Sequence, residues 1–293
     1  MNVVAGVTGQ TGAAVADTLL ERGVPVRVLV RDAAKGIAWK ARGAEVAIAN
    51  LTDTAALIKA LAGATAAYLI NPPVYTSMDM FADAAAVITA ARQAAETARL
   101  AKLIVLSSVG AHLPGGTGNI RTTWLLEQQL GQLSIPVTFI RAAWFMENWA
   151  PVAPVAASSG VLPSFLSPLD RTIPMVAAVD IGRVSAEAML EEWSGKRIIE
   201  LSGPRDYSPN DVASAFARAL KRSVQAVALP EAEWPQVLGQ MRMSTHAVST
   251  WTEMLRAFNA GVITFTGKDT LQLRGAVSLE EAIAAAVRRS KTW

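Results

Sequence analysis

The chain has no cysteine and only two histidines, His112 and His246, among its 293 residues. Without thiols there is no disulfide framework, no thiolate zinc site and no cysteine nucleophile, and two isolated histidines do not make a metal centre. A metal-free protein is expected. Charge is also sparse: charged residues are 17% of the chain and the net charge is +3, with the basic residues dispersed rather than gathered in a stripe. No nucleic-acid partner is expected. Long apolar runs are missing too, although 52% of the residues are hydrophobic. None approaches the roughly 18 consecutive apolar residues of a membrane span, so the chain reads as soluble, with no membrane partner. Met1 runs directly into a strand-like segment, which leaves no room for a leader peptide and makes the cytoplasm the expected location. The length suits one large domain or two closely packed ones, and no low-complexity linker divides it.

What is present from the start is a glycine pattern. Val3-Val4-Ala5 is followed by Gly6, Gly9 and Gly12 at three-residue spacing, and then by the helical apolar pattern of residues 13–20. Strand, tight turn and helix in this order predict a dinucleotide cradle. A pyrophosphate must approach the backbone N–H groups at a helix N-terminus, where orphan donors and the macrodipole favour negative charge. A side chain there would hold it off. Gly6 takes the turn, Gly9 admits the phosphates and Gly12 lets the helix pack on the strand, although the commoner spacing is Gly-x-Gly-x-x-Gly.

Further along, strands and helices alternate. Pro25 to Val30 reads as a second strand, Glu45 to Ala49 as a third, Ala66 to Ile70 as a fourth, Lys102 to Leu106 as a fifth and Pro136 to Ile140 as a sixth. This rhythm is the signature of a doubly wound parallel sheet. Just past the second strand stands Arg31, where such folds decide between a ribose hydroxyl and a 2′-phosphate. Asp32 follows at once and argues for the unphosphorylated cofactor, but Arg31 with Lys35 and Lys40 favours NADP(H). Asn50 and Leu51, after the third strand, are expected against the adenine. Thr52 or Asp53 caps the next helix, and an alanine-rich helix runs from about Met80 to Arg99.

Beyond Trp144 the rhythm falters and prolines accumulate, which marks a second lobe. A helix capped by Asp180 returns to the first lobe, and Arg197 to Leu201 adds a late strand. Ser208-Pro209-Asn210-Asp211 opens another helix, and Ser278-Leu279-Glu280-Glu281 is a capping box for the last one. The expected fold is α/β. A Rossmann-type, doubly wound parallel sheet occupies residues 1–148, rejoined by 176–203, and a smaller, mostly helical substrate lobe occupies 149–293. Trp124, Trp144, Phe145, Met146, Asn148, Trp149 and Phe165 are candidates for a flat apolar pocket between the lobes, with plain core packing as the alternative for each. His112, on the loop after the fifth strand, is a candidate proton donor; a solvated loop histidine is the alternative.

Five stretches taken together carry a family likeness. Gly-x-x-Gly-x-x-Gly at 6–12, Val-Arg-Val-Leu-Val-Arg at 26–31, Leu-Ser-Ser-Val-Gly at 106–110, Pro-Val-Thr-Phe-Ile-Arg at 136–141 and Phe-Met-Glu-Asn at 145–148 occur in order. The chain thereby resembles the NmrA-like branch of the atypical short-chain dehydrogenase/reductase superfamily. That branch includes NADPH-using quinone reductases, triphenylmethane-dye reductases, flavin-free azo-dye reductases, and regulators that bind NADP without known turnover. The resemblance implies that Gly6, Thr8, Gly9, Gln10, Thr11 and Gly12 meet the pyrophosphate and Arg31 the adenosine phosphate. Asn71, Pro72 and Pro73 would line the ribose, and Ser107 and Ser108 would sit beside the nicotinamide.

One departure bears on the chemistry. Catalytic members of the wider superfamily use Tyr-x-x-x-Lys after the serine strand, and NmrA-like proteins often keep Lys or His in that helix. Here the position falls at Thr123, followed by Trp124. Reduction of a simple ketone needs a tuned proton donor and is disfavoured. A conjugated acceptor of azo or quinone type takes the hydride into its own delocalised system, so the protein needs only to stack it and exclude solvent. Ser107, Ser108, His112, Thr123 and Trp124 are the catalytic candidates. Two readings follow: a reductase of a small aromatic substrate, and a non-catalytic NADP(H) sensor; either leaves a homodimer open.

Overall fold

Residues 1–290 are described by a computed structural model. The first half alternates strand and helix: β1 (Asn2–Val4), α1 (Gln10–Glu21), β2 (Val26–Val30), α2 (Ile37–Ala41), β3 (Glu45–Ile48), α3 (Thr54–Leu61), β4 (Ala66–Leu69), α4 (Met80–Thr97), β5 (Leu103–Ser108), α5 (Arg121–Leu130) and β6 (Val137–Ala142). Then follow β7 (Trp144–Phe145), α6 (Ala153–Ser159), β8 (Val161–Ser164), β9 (Ile173–Val176), α7 (Ala178–Leu190), β10 (Lys196–Ser202) and β11 (Asp206–Tyr207). The chain closes with α8 (Pro209–Leu220), β12 (Gln225–Ala228), α9 (Trp234–Gln240), α10 (Thr245–Asn259), β13 (Leu271–Arg274) and α11 (Leu279–Ser290).

Eight strands form one sheet in the order β13-β10-β6-β5-β4-β1-β2-β3, and every pairing in it is parallel. The order reverses between β1 and β4, the switch point at which ligands of such sheets bind beyond the carboxyl ends of the strands. Because helices cover both faces, β1, β4 and β6 are buried at every position rather than at alternate ones, the polar Asn2, Thr138 and Arg141 included. One face packs Val3, Leu103 and Val105 under α3, α4 and α5; the other packs Val4, Ile104 and Ile140 under α1 and α7.

Helix α7 lies close against α1. A Cβ on Gly182 would fall 2.3 Å from that of Ala14, so the two helices approach at glycine distance. Asp180, however, is not its cap. Ala177 holds that place, and the Glu147 carboxylate accepts from the Ala178 N–H, while Asp180 sits in the first turn and accepts from the Val277 N–H at 2.9 Å. Asp53 rather than Thr52 caps α3. The capping boxes at Ser208 and Ser278 are as the sequence predicts.

Strand β13, which the sequence leaves inside the C-terminal lobe, pairs with β10 at the edge of the main sheet. The second lobe is built on its own core of Met146, Trp149, Leu162, Phe216, Trp234 and Phe258. Two small ribbons, β11-β9-β7 and β12-β8, frame it.

Candidate functional site: a dinucleotide crevice and its seam

Between β1 and α1 the three glycines do three different things. Gly6 has φ +72°, a conformation that L side chains rarely adopt, and a Cβ there would strike Ile70 Cδ1 at 2.4 Å. Gly12 lies under the turn, where a Cβ would come within 2.4 Å of the Ala5 and Gly6 carbonyl oxygens, so only glycine lets α1 sit on β1. Gly9 is different. Its φ of −104° and ψ of 178° suit any residue, and the nearest atom to a Cβ is the Gly6 oxygen at 3.4 Å. Neither backbone nor packing demands a glycine here; the space above it does. Helix α1 starts with no side-chain cap and no acidic residue in its first turn, so its N–H donors and dipole remain for an anion. Thr8 and Gln10 are exposed beside Gly9, and Thr11 is buried behind it.

At the end of β2, Arg31 and Asp32 have different surroundings. The Asp32 carboxylate accepts from the Ala34 N–H at 2.9 Å and caps the short 3-10 turn 33–36. Arg31 is exposed and makes no ion pair or hydrogen bond among the described residues, and Lys35 stands exposed in the same turn. Asn50 spends its side-chain oxygen on the Thr52 N–H, which shapes the loop after β3 and leaves Leu51 half-buried beside it. Asn71, Pro72 and Pro73 follow β4 on the same edge of the sheet. These groups fit a phosphorylated adenosine: open backbone for the diphosphate and an unpaired guanidinium for the extra phosphate.

The serines of β5 diverge. Ser107, which the family likeness places beside the nicotinamide, is buried, and its hydroxyl donates to Glu127 Oε1 at 2.6 Å. Ser108, on the other face, is half-buried and donates to the Val109 carbonyl. Ser107, Arg141 and Glu200 stand in register across β5, β6 and β10. Arg141 donates twice to Glu127 and approaches Glu200 at 3.8 Å. Glu200 accepts from the Thr266 N–H and hydroxyl, the Gly267 N–H and the Thr270 hydroxyl; although burial opposes it, these donors hold its carboxyl below the usual range. Sequence reasoning missed this clamp, because its members lie 14 to 70 positions apart.

Thr123 donates to the Ile120 carbonyl at 2.7 Å, and Trp124 is half-buried beside it. His112 is half-buried with its Nδ1 enclosed and unpartnered; burial first, then the Arg141 charge, hold the ring below its ordinary pKa against the pull of Glu200 and Glu127. Most of the expected pocket aromatics turn out to be core. Met146 and Trp149 are sealed inside the second lobe, Trp144 packs edge-on against Phe258 and Phe165 against Trp234, and Asn148 is exposed. Only half-buried Phe145 packs against the core under α1 and α7.

Other aromatics mark the seam between the lobes. Tyr75 meets Trp251 edge-on at 5.7 Å between centroids, and Phe81 meets His246 at 5.4 Å. The Ser244 N–H donates to the Tyr75 carbonyl at 2.8 Å, and its hydroxyl to the Ser77 carbonyl, which ties the loop after β4 to the start of α10. On the other side, a Cβ on Gly118 would fall 1.8 Å from the Thr250 oxygen, so α10 rests directly on the turn that precedes α5. Among the described residues no group of three or more His, Asp or Glu is placed to hold a metal, and no helix is long and apolar enough to cross a membrane.

A glycine-floored turn at the switch point of an all-parallel sheet, with an unpaired arginine at the end of β2, defines a dinucleotide-binding protein of the doubly wound α/β class. More narrowly, the chain belongs to the NmrA-like family, whose sequence model matches residues 2–285. It is similar to an NAD(P)H azoreductase of Xenophilus azovorans, 30% identical over 257 residues that cover 87% of this chain and 86% of that one. It is also similar to a (4-alkanoyl-5-oxo-2,5-dihydrofuran-3-yl)methyl phosphate reductase of Streptomyces griseus, 29% identical over 77% of this chain and 76% of that one. Among solved structures, the NADPH-dependent quinone oxidoreductase of Escherichia coli complexed with NADPH superposes with a TM-score of 0.79 at 24% identity, covering 99% of this chain and 100% of that one, and shares its fold.

Proposed function

We propose that the protein is an NADPH-dependent, flavin-free reductase of conjugated aromatic acceptors of the azo or quinone type. The observation that carries the cofactor is the pair Arg31 and Asp32: the carboxylate is spent on a cap, and the guanidinium is left for a 2′-phosphate. When bound, NADPH supplies the hydride, and the hard chemistry is its own. The chain's residues hold and orient it. Gly9 and the N-terminus of α1 receive the diphosphate, Arg31 and Lys35 the adenosine phosphate, Asn50 and Leu51 the adenine, and Asn71, Pro72 and Pro73 the ribose.

The acceptor class follows from what the site does not offer. Ser107 is locked to Glu127 and the Thr123 hydroxyl is turned to a backbone carbonyl, so neither is a proton donor for a simple ketone. A quinone or azo compound needs no strong acid, because delocalisation takes up the hydride and water supplies the proton. His112, on the loop after β5, is held below its ordinary pKa, so it brings a neutral ring rather than an imidazolium to this end of the sheet. The names of two relatives support this class, an azoreductase and a quinone oxidoreductase. The dispersed basic residues suit work without nucleic acid.

The test is direct. Purified protein is mixed with NADPH and a panel of quinones and azo compounds, and the nicotinamide absorbance is followed. Oxidation well above background with at least one acceptor is expected; none with any of them would leave an NADP(H)-binding protein without this activity.

A further inference from the structure

The seam carries a cation that hydride transfer leaves without a task. Arg121 is the first residue of α5; it is exposed and stands over the Phe81 ring, 5.2 Å from its centroid. A positive side chain in the first turn of a helix works against the macrodipole, and no acidic residue in that turn compensates it. Among the described residues Arg121 makes no ion pair, whereas Arg27, Arg197 and Arg256 each meet a glutamate. The acids at the start of α4 do not offset it. Asp79 spends its carboxylate on the Phe81 and Ala82 N–H groups, and half-buried Asp83 makes no ion pair with it.

Phe81 is shared. His246, in the first turn of α10, meets the same ring with its plane at 73°, and its Nε2 is buried without a partner. A phenyl ring that stacks a guanidinium orders its fork of donors without neutralising it. Thr123 and Trp124 lie in the same helical turn, and α5 begins beyond the carboxyl end of β5, so the cation stands on the side of the sheet where ligands of doubly wound folds bind. Buried Glu127 and Glu200 and half-buried Glu147 are all engaged: Glu127 with Ser107 and Arg141, Glu200 with the segment 266–270, Glu147 with Ala178. They offer nothing to a cationic dye.

We propose that Arg121, held on Phe81, is an anion-recognising group that selects conjugated acceptors carrying a carboxylate, sulfonate or phosphate substituent. For turnover this rests on the reductase reading; for binding it does not.

Two measurements separate the readings. Calorimetry on protein loaded with NADP⁺ compares naphthalene-2-sulfonate with 2-naphthol, which needs no turnover, and steady-state kinetics compare 1,4-naphthoquinone with its 2-sulfonate. The sulfonate is expected to bind about tenfold more tightly than the neutral ring. That preference falls with added salt. Arg121→Ala should raise KM for the sulfonated quinone about tenfold more than for the neutral one, with Arg121→Lys between the two. Equal affinity for both rings, or equal losses for both in Arg121→Ala, overturns the proposal. A sulfonate preference without any NADPH oxidation would keep the anion site and bring down the reductase reading instead. Oxidation without the preference does the reverse.

Discussion

Arg141 and Glu127 face each other through two parallel hydrogen bonds, Nε to Oε1 at 2.9 Å and Nη2 to Oε2 at 2.7 Å, with both side chains buried. A buried pair of this geometry is weak proof of net stability, because desolvation offsets attraction, but removing one member strands the other. Glu127→Ala is therefore expected to destabilise the fold by about 3–5 kcal/mol, read as a lower midpoint in urea unfolding. A loss below about 1 kcal/mol would mean that water replaces the pair and that α5 is not held to the sheet by it.

Arg31→Ala is expected to weaken NADPH by about ten- to a hundredfold, while NADH changes within about twofold, because a bidentate contact to phosphate is the interaction being removed. Titration of both nucleotides measures it. Equal loss of both would remove the 2′-phosphate assignment.

Gly9 and Gly12 should fail in different ways. Gly9→Val keeps an extended backbone that any residue tolerates and has open space before it, so the variant is expected to fold with nearly its original midpoint and to bind neither nucleotide. Gly12→Ala forces a methyl against two carbonyl oxygens at 2.4 Å, and lowers the unfolding midpoint. Thermal melts paired with nucleotide titration separate the two; a Gly9→Val protein that still binds NADPH contradicts the cradle.

His112 links stability to pH. Its folded pKa lies below the ordinary value of about 6.5, first through burial and then through Arg141, so the folded protein binds fewer protons than the unfolded chain between those two values. The stability it contributes is complete above about pH 6.5 and is lost as the pH falls through the folded value. His112→Gln should flatten that part of the stability–pH profile. An unchanged slope would place the titration elsewhere.

The cradle was legible in the sequence because it is local: strand, turn and helix are contiguous, and each glycine's spacing carries its own steric meaning. The first six strands were legible for a similar reason, as each is an apolar run bounded by a turn. The tryptophans were not. Periodicity says that Trp149 faces inward but not whether inward is a cleft or a core, and the structure makes it core. The clamp on Arg141 and the seam pairs Tyr75–Trp251 and Phe81–His246 depend on partners far along the chain, so no window of sequence displays them. Strand β13 was missed because Leu-Gln-Leu-Arg is only four residues long and stays largely exposed at the sheet edge, so no apolar run announces it.

Glu200 sits on one of the inner strands, yet the donors that satisfy it arrive with residues 266–270, just ahead of β13. The nucleotide lobe is thus finished by chain emerging from the ribosome only after nearly all of the other lobe has been made. Any nascent form stopped short of residue 266 lacks all four of the hydrogen bonds that this segment gives the Glu200 carboxylate and leaves it only Arg141, at 3.8 Å. Shortening the protein to its cofactor half therefore yields an unfinished sheet rather than a minimal nucleotide-binding domain.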